Sequence, residues 1–155
     1  MLIVKSIQDE RIYQGRLFES NGYELAVANN DFFYYRFIIG ASIKSLYTTF
    51  VIEGNVETYA YTGTTYTDNG TEQNVRALNR NSTNTTDFQL YTDPTIDVLG
   101  ILRSTRLRTA GSGPASSGAE TSLVQRIYIP NSDILVAVKN IAGTAKDIGI
   151  YMYIH

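Results

Sequence analysis

One pattern occurs twice in this chain and constrains its fold more than any other feature. Tyr61-Thr62-Gly63-Thr64-Thr65 is followed five residues later by Gly70. Tyr91-Thr92-Asp93-Pro94-Thr95 is followed five residues later by Gly100. The offset is 30 residues, and Tyr, Thr, Thr and Gly fall in the same places. Each copy reads as a strand ending in Tyr-Thr, then a kink, then a Gly-containing turn into the next strand. Between the copies runs Asn79-Arg80-Asn81-Ser82-Thr83-Asn84-Thr85-Thr86, which has almost nothing to bury. Two hairpin-like units joined by a polar loop predict an antiparallel β sandwich or barrel.

The rest of the chain agrees with that expectation. In Phe32 to Ile39, alternation puts Phe33, Tyr35, Phe37 and Ile39 on a core face. Phe32, Tyr34, Arg36 and Ile38 fall on the other face, which must also be partly covered. Lys44 to Ile52 turns Leu46, Phe50 and Ile52 inward and Tyr47, Thr49 and Val51 outward. Glu53-Gly54-Asn55 reads as a tight hairpin connection into Val56 to Thr62, where Tyr59 and Tyr61 oppose Thr58, Ala60 and Thr62. Thr71 to Leu78, Phe88 to Tyr91, Leu99 to Thr109 and Leu123 to Ile129 read as further strands. Ile134, Val136 and Val138 point inward on the next, and Ile148, Ile150, Met152 and Ile154 on the last. Asn21-Gly22 and Asp68-Asn69-Gly70 are turn signals. No stretch keeps a helical period. The expected fold is all-β, an antiparallel two-sheet sandwich of jelly-roll type. It is divided as residues 1–30, a segment or arm packing on the domain (Leu2, Val4 and Ile7 could form a strand), and residues 31–155, the sandwich.

With 155 residues and 43% hydrophobic content, the chain can build one domain with a real core. It has no Cys, hence no disulfide and no Cys-ligated metal. Its one His is the last residue, which argues against a His-dependent hydrolase or a His-ligated metal. No cofactor or metal is expected. Asp93 and Asp97 could pair as glycosidase carboxylates but suit turn caps better beside Pro94 and Gly100. The formal net charge of −2 gives no drive toward nucleic acid. Met1-Leu2-Ile3-Val4-Lys5 is too short and too soon polar for a signal peptide. No apolar run approaches ~20 residues, so no membrane-spanning helix is expected. Asn69, Asn81 and Asn84 each begin an Asn-x-Ser/Thr sequence, which suits turns and loops here.

Two groups of residues are candidates for partner contact. Arg103, Arg106 and Arg108 form the one local basic cluster, either a charged edge that discourages sheet pairing or a contact for an acidic partner. Phe32, Tyr34 and Ile38 leave an apolar face opposite the core. The Gly/Ser/Ala-rich stretch Ala110 to Ser122 has linker composition, and a loop of that kind inside a domain is usually functional or disordered.

Several segments resemble a virion structural protein common in tailed bacteriophages. They are Thr64-Thr65-Tyr66-Thr67-Asp68-Asn69-Gly70-Thr71, Leu78-Asn79-Arg80-Asn81-Ser82-Thr83-Asn84-Thr85, Tyr91-Thr92-Asp93-Pro94-Thr95, and Ile129-Pro130-Asn131-Ser132-Asp133-Ile134-Leu135-Val136-Ala137-Val138-Lys139-Asn140 with Ala142-Gly143-Thr144-Ala145-Lys146-Asp147. The resemblance covers residues 32–154, and Asn79-Arg80-Asn81-Ser82 is its most specific piece. It implies a capsid decoration (cement) protein: a β-sandwich or jelly-roll domain on the outside of the head, binding the major capsid protein, with self-association as a dimer or trimer and no catalytic residues. A tail- or fibre-associated module, structural or carbohydrate-binding, is the alternative expectation.

Overall fold

The computed structural model describes residues 10–12, 14–43, 46–108, 124–126 and 131–155. The expected first strand over Leu2–Ile7, the Ala110–Ser122 loop, and the ends of the strand expected over Leu123–Ile129 lie outside the described residues. The thirteen described strands are β1 Phe18–Val27, β2 Phe32–Ile39, β3 Leu46–Ile52, β4 Val56–Thr62, β5 Thr65–Asp68, β6 Thr71–Gln73, β7 Arg76–Ala77, β8 Gln89–Thr92, β9 Thr95–Val98, β10 Ile101–Arg108, β11 Val124–Arg126, β12 Ser132–Asn140 and β13 Lys146–Ile154. They form a five-stranded sheet in the order β11-β3-β13-β1-β7, a six-stranded sheet in the order β10-β4-β12-β2-β8-β6, and a two-stranded ribbon, β5-β9. All the pairings are antiparallel, and the two larger sheets pack into a sandwich.

Alternation accounts for the core. Phe33, Tyr35, Phe37 and Ile39 on β2, Leu46, Phe50 and Ile52 on β3, and Ile148, Ile150, Met152 and Ile154 on β13 are all buried, as expected. Val56, Ile134, Val136 and Val138 join them in one cluster. Each such aliphatic or aromatic side chain is worth roughly 1.5–3 kcal/mol when removed from water. The Tyr35 hydroxyl, buried among them, donates to the Ile148 carbonyl at 3.4 Å. Burial raises its pKa well above that of a free tyrosine.

Several expected connections come out differently. Asn21-Gly22 is not a turn but the middle of β1, where Asn21 pairs with Tyr151 and Gly22 with Ile150. A Cβ on Gly22 would stand 2.6 Å from Thr92 Cγ2 and 3.1 Å from Tyr35 Cε1, so this glycine admits the opposite sheet. Glu53-Gly54-Asn55 does not close a hairpin, because β3 and β4 belong to different sheets. The strand expected over Thr71–Leu78 breaks at Asn74-Val75, and its halves, β6 and β7, enter different sheets. The long strand expected from Leu99 begins at Ile101, after Gly100 turns the chain with φ +76°. Within the expected N-terminal segment, β1 lies between β13 and β7.

The repeat has the expected rhythm of strand, kink, strand and turn, but not the expected pairing. The two copies exchange partners rather than forming two hairpins. β4 of the first copy pairs with β10 of the second, and β8 of the second pairs with β6 of the first. The short strands β5 and β9 pair with each other. The registers obey the 30-residue offset. Thr62 faces Ile101 as Thr92 faces Thr71, and Tyr61 faces Leu102 as Tyr91 faces Glu72. In the ribbon, Thr65 faces Val98 as Asp68 faces Thr95, and the equivalent residues Tyr66 and Ile96 face each other. A local twofold axis therefore passes through the Tyr66–Ile96 pair.

Candidate interaction face

The outward face of the six-stranded sheet follows from its register. Phe32, Tyr34, Arg36 and Ile38 on β2 stand opposite Lys139, Ala137, Leu135 and Asp133 on β12. Across β12 they are followed by Glu57, Tyr59 and Tyr61 on β4. Near one end of β2 the side chains make an aromatic strip. The Phe32 and Tyr34 rings stack with centroids 6.0 Å apart, and Tyr59 tilts against Phe32 at 6.1 Å. The Lys139 ammonium lies 5.7 Å from the centre of the Phe32 ring. Phe32 is still 42% exposed. The Tyr59 hydroxyl donates to the Glu57 carboxylate, and that bond, with burial, raises the tyrosine's pKa.

Four residues further along β2, about 13 Å at ~3.3 Å per residue, the same face carries Arg36. Its Nη2 donates to Asp133 Oδ2 at 2.6 Å and its Nε lies 3.1 Å from Oδ1. Nη1 donates to Asn69 Oδ1 at 2.5 Å. The guanidinium sits 4.0 Å from the centre of the Tyr66 ring and 5.9 Å from that of Tyr91. The hydrogen bond to Asp133 holds the Arg36 pKa above its ordinary value. Burial, helped by the Asp133 charge, pushes the Tyr66 phenol up to about 12. This cluster ties the β5-β9 ribbon to the sheet beneath it, and every polar group of Arg36 is answered from within the chain. Leu135 and Ala137, on this outward face, are fully buried, which alternation alone did not anticipate.

The candidate contact residues therefore separate into two places. Phe32, Tyr34 and Ile38 share the outward face of β2 as expected. Arg103, Arg106 and Arg108 lie on β10, the edge strand three positions away, or ~14 Å at ~4.8 Å per strand. By register Arg106 and Arg108 share one face, opposite Thr58 and Val56. Arg103 sits at a register irregularity, and its Nε donates to Thr62 Oγ1 at 2.7 Å. Sequence reasoning did not link Tyr59, Glu57, Lys139 and Asp133 to this face, because they reach it from strands remote in the chain. Arg36 inside an apolar run was the one available signal that a carboxylate partner, Asp133, waited for it.

The other sequence candidates have local duties. Asp68 accepts from the Gly70 N–H at 2.8 Å, and Asp97 accepts from the Thr65 hydroxyl at 3.1 Å. Asp93 occupies the kink of the second copy with φ +55°. In the polar run, the Asn84 amide donates to the Gln14 and Gly15 carbonyls at 3.1 and 3.2 Å, anchoring the start of the described chain. Among the described residues no three His, Asp or Glu are grouped to hold a metal ion. Nor is any helix there long and apolar enough to cross a membrane. Compared with known proteins, the chain matches no family model and no curated sequence.

Proposed function

We propose that this chain is a capsid decoration protein of a tailed bacteriophage, bound to the outside of the head through the aromatic face of its six-stranded sheet. The half-open strip of Phe32, Tyr34 and Tyr59 carries the binding part of this reading. A rigid sheet holds these rings, Lys139 and Glu57 frame them with charge, and partly exposed aromatics of this kind are the usual anchors of protein interfaces. The phage assignment and the jelly-roll description rest on the resemblance of the repeat, Asn79–Ser82 and Ile129–Asn140 segments. Decoration would act by binding energy alone. Contacts too weak to hold a single copy act together when a dimer or trimer engages several coat subunits.

Purified protein mixed with heads lacking it should co-sediment with them at hundreds of copies per particle. Phe32→Asp should weaken that binding at least tenfold, in line with the loss of roughly 2 kcal/mol at an interface hot spot. Failure to co-sediment, or full binding by the variant, would overturn the reading. The stacked Phe32–Tyr34 pair also favours one second reading, a sugar-stacking platform on a tail or fibre component. Glycan-array binding lost in Phe32→Ala, with a handful of copies per virion, would decide for it.

A further inference from the structure

The geometry points to a second interaction site, beside the aromatic face: the outer edge of β10, which takes an extended acidic segment of a partner protein as an added strand. β10 ends the six-stranded sheet, and no other described strand pairs with its outer edge. Among the described residues, that leaves the main-chain donors and acceptors of this edge open to another strand. Under the repeat symmetry its counterpart is β6, which stops after three residues, whereas β10 runs on for eight.

The side chains of this edge are unusual. Among the described residues nine large hydrophobic side chains are exposed, and five of them, Val98, Leu99, Ile101, Leu102 and Leu107, fall within ten residues here. Leu107 is 64% exposed, Ile101 60% and Leu102 50%. An edge built only to repel other strands carries charge and little else. This one alternates. Leu102, Thr105 and Leu107 follow one face, with Tyr61, Tyr59 and Glu57 beside them in register, and Ser104 and Arg106 follow the other. The sequence Ile-Leu-Arg-Ser-Thr-Arg-Leu-Arg contains no acidic residue. A second copy of β10 would set arginines against arginines, and like charges directly opposite are destabilising. The complement is an extended segment alternating acidic with aliphatic residues, its carboxylates toward Arg106 and its aliphatic side chains toward Leu102 and Leu107.

A ten-residue capped peptide alternating Glu and Val tests the site, titrated into the full chain by calorimetry and by amide NMR. Its Lys/Val counterpart and a Glu/Val peptide N-methylated at alternate residues are the controls. The Glu/Val peptide should bind with shifts concentrated on residues 101–108. The Lys/Val and N-methylated peptides should bind at least tenfold more weakly, and Arg106→Glu should reverse the charge preference. Arg106 and Leu107 are exposed, so Arg106→Glu and Leu107→Lys should fold normally, with melting as the control. Equal binding of all three peptides, shifts elsewhere, or no binding at millimolar peptide would overturn the proposal. So would a dimer that Leu107→Lys turns into a monomer, since the edge would then serve self-pairing. Capsid binding through Phe32 is read in a different assay on a different variant, so either proposal can fail alone.

Discussion

The exchange of strands between the two repeats predicts which glycines the fold requires. Gly100 has φ +76°, and a Cβ there would stand 2.6 Å from the Thr62 carbonyl oxygen, 2.7 Å from the Thr64 nitrogen and 2.9 Å from the Gly63 carbonyl carbon. Gly70, at φ +84°, would meet the equivalent atoms of the other copy: the Thr92 oxygen at 2.3 Å, the Pro94 nitrogen at 2.8 Å and the Asp93 carbon at 2.9 Å. Each turn glycine thus packs against the kink of the opposite copy, and the obstructing atoms are backbone. Left-handed backbone costs an alanine about 1–2 kcal/mol. Forcing a methyl into closed packing adds about 1–3 kcal/mol. Restriction of the unfolded chain returns at most about 1 kcal/mol. Gly100→Ala should therefore lose about 2–4 kcal/mol, a fall in Tm on the order of 10 °C for a domain of this size. Gly63 is the control. It has φ +71° but nothing within 4 Å of its Cβ direction, and its equivalent in the second copy is Asp93, which adopts φ +55° with a side chain. Gly63→Asn should cost under about 1 kcal/mol. Thermal and urea unfolding followed by circular dichroism gives both values. Equal losses at positions 63 and 100, or a Gly100→Ala protein as stable as wild type, would refute the interlocked geometry.

Asn140 is fully buried; its amide donates to the Val27 and Thr144 carbonyls, both at 2.8 Å, and its Oδ1 accepts from the Ala142 N–H at 2.9 Å. Asn140→Ala strands all three groups and should lower the urea midpoint by the equivalent of about 2–4 kcal/mol without changing the slope. Asp87 accepts from the Ser42 hydroxyl, and from its N–H at 3.0 Å, which holds the carboxyl below its ordinary pKa. A depressed folded pKa gives stability above the unfolded value, near 4, that disappears as pH falls through the folded one. The gap in Tm between wild type and Asp87→Ala should accordingly shrink from pH 6 to pH 2.5, and a constant gap would refute the assignment. Circular dichroism of the chain should show β structure, with helix content well below a quarter, against the ~30–35% typical of globular domains.

The sandwich was legible because burial imposes a period of two on each strand. Phe33 to Ile39 and Ile148 to Ile154 declare their faces without help from the rest of the chain. Pairing was not legible, because it depends on which strands meet. The same Gly and Asn that mark turns also serve close packing. Gly22 sits mid-strand since Tyr35 and Thr92 need its space, and no sequence neighbour reveals that. Leu135 and Ala137 looked outward by alternation and are buried nonetheless. The β2 half of the candidate face was legible, as Phe32, Tyr34 and Ile38 opposite the core. Its β4 and β12 half was not, because Tyr59 and Lys139 reach Phe32 only through the sheet register.

The repeat contained one more signal, in its length. From kink to turn, each copy spends eight residues, 63–70 and 93–100, between its two strands of the six-stranded sheet. A hairpin between adjacent strands needs only two to five connecting residues. In the sheet order, β4 and β6 are four positions apart, as are β8 and β10, a span of ~19 Å. Eight extended residues reach at most ~26 Å. The segment is too long for a tight hairpin and long enough to cross the sheet. Two such crossings related by a twofold axis run antiparallel side by side, so each supplies the other's hydrogen-bonding partner as the β5-β9 ribbon. Tyr66, on the axis, meets Arg36, and Arg36 in turn needs Asp133, so the ribbon is held at the middle of β2. Phe32, about 13 Å along that strand, lies beyond the clamp. The interlock of the repeats thus sets where the face is closed, at Arg36, and where it stays open, at Phe32, Tyr34 and Tyr59.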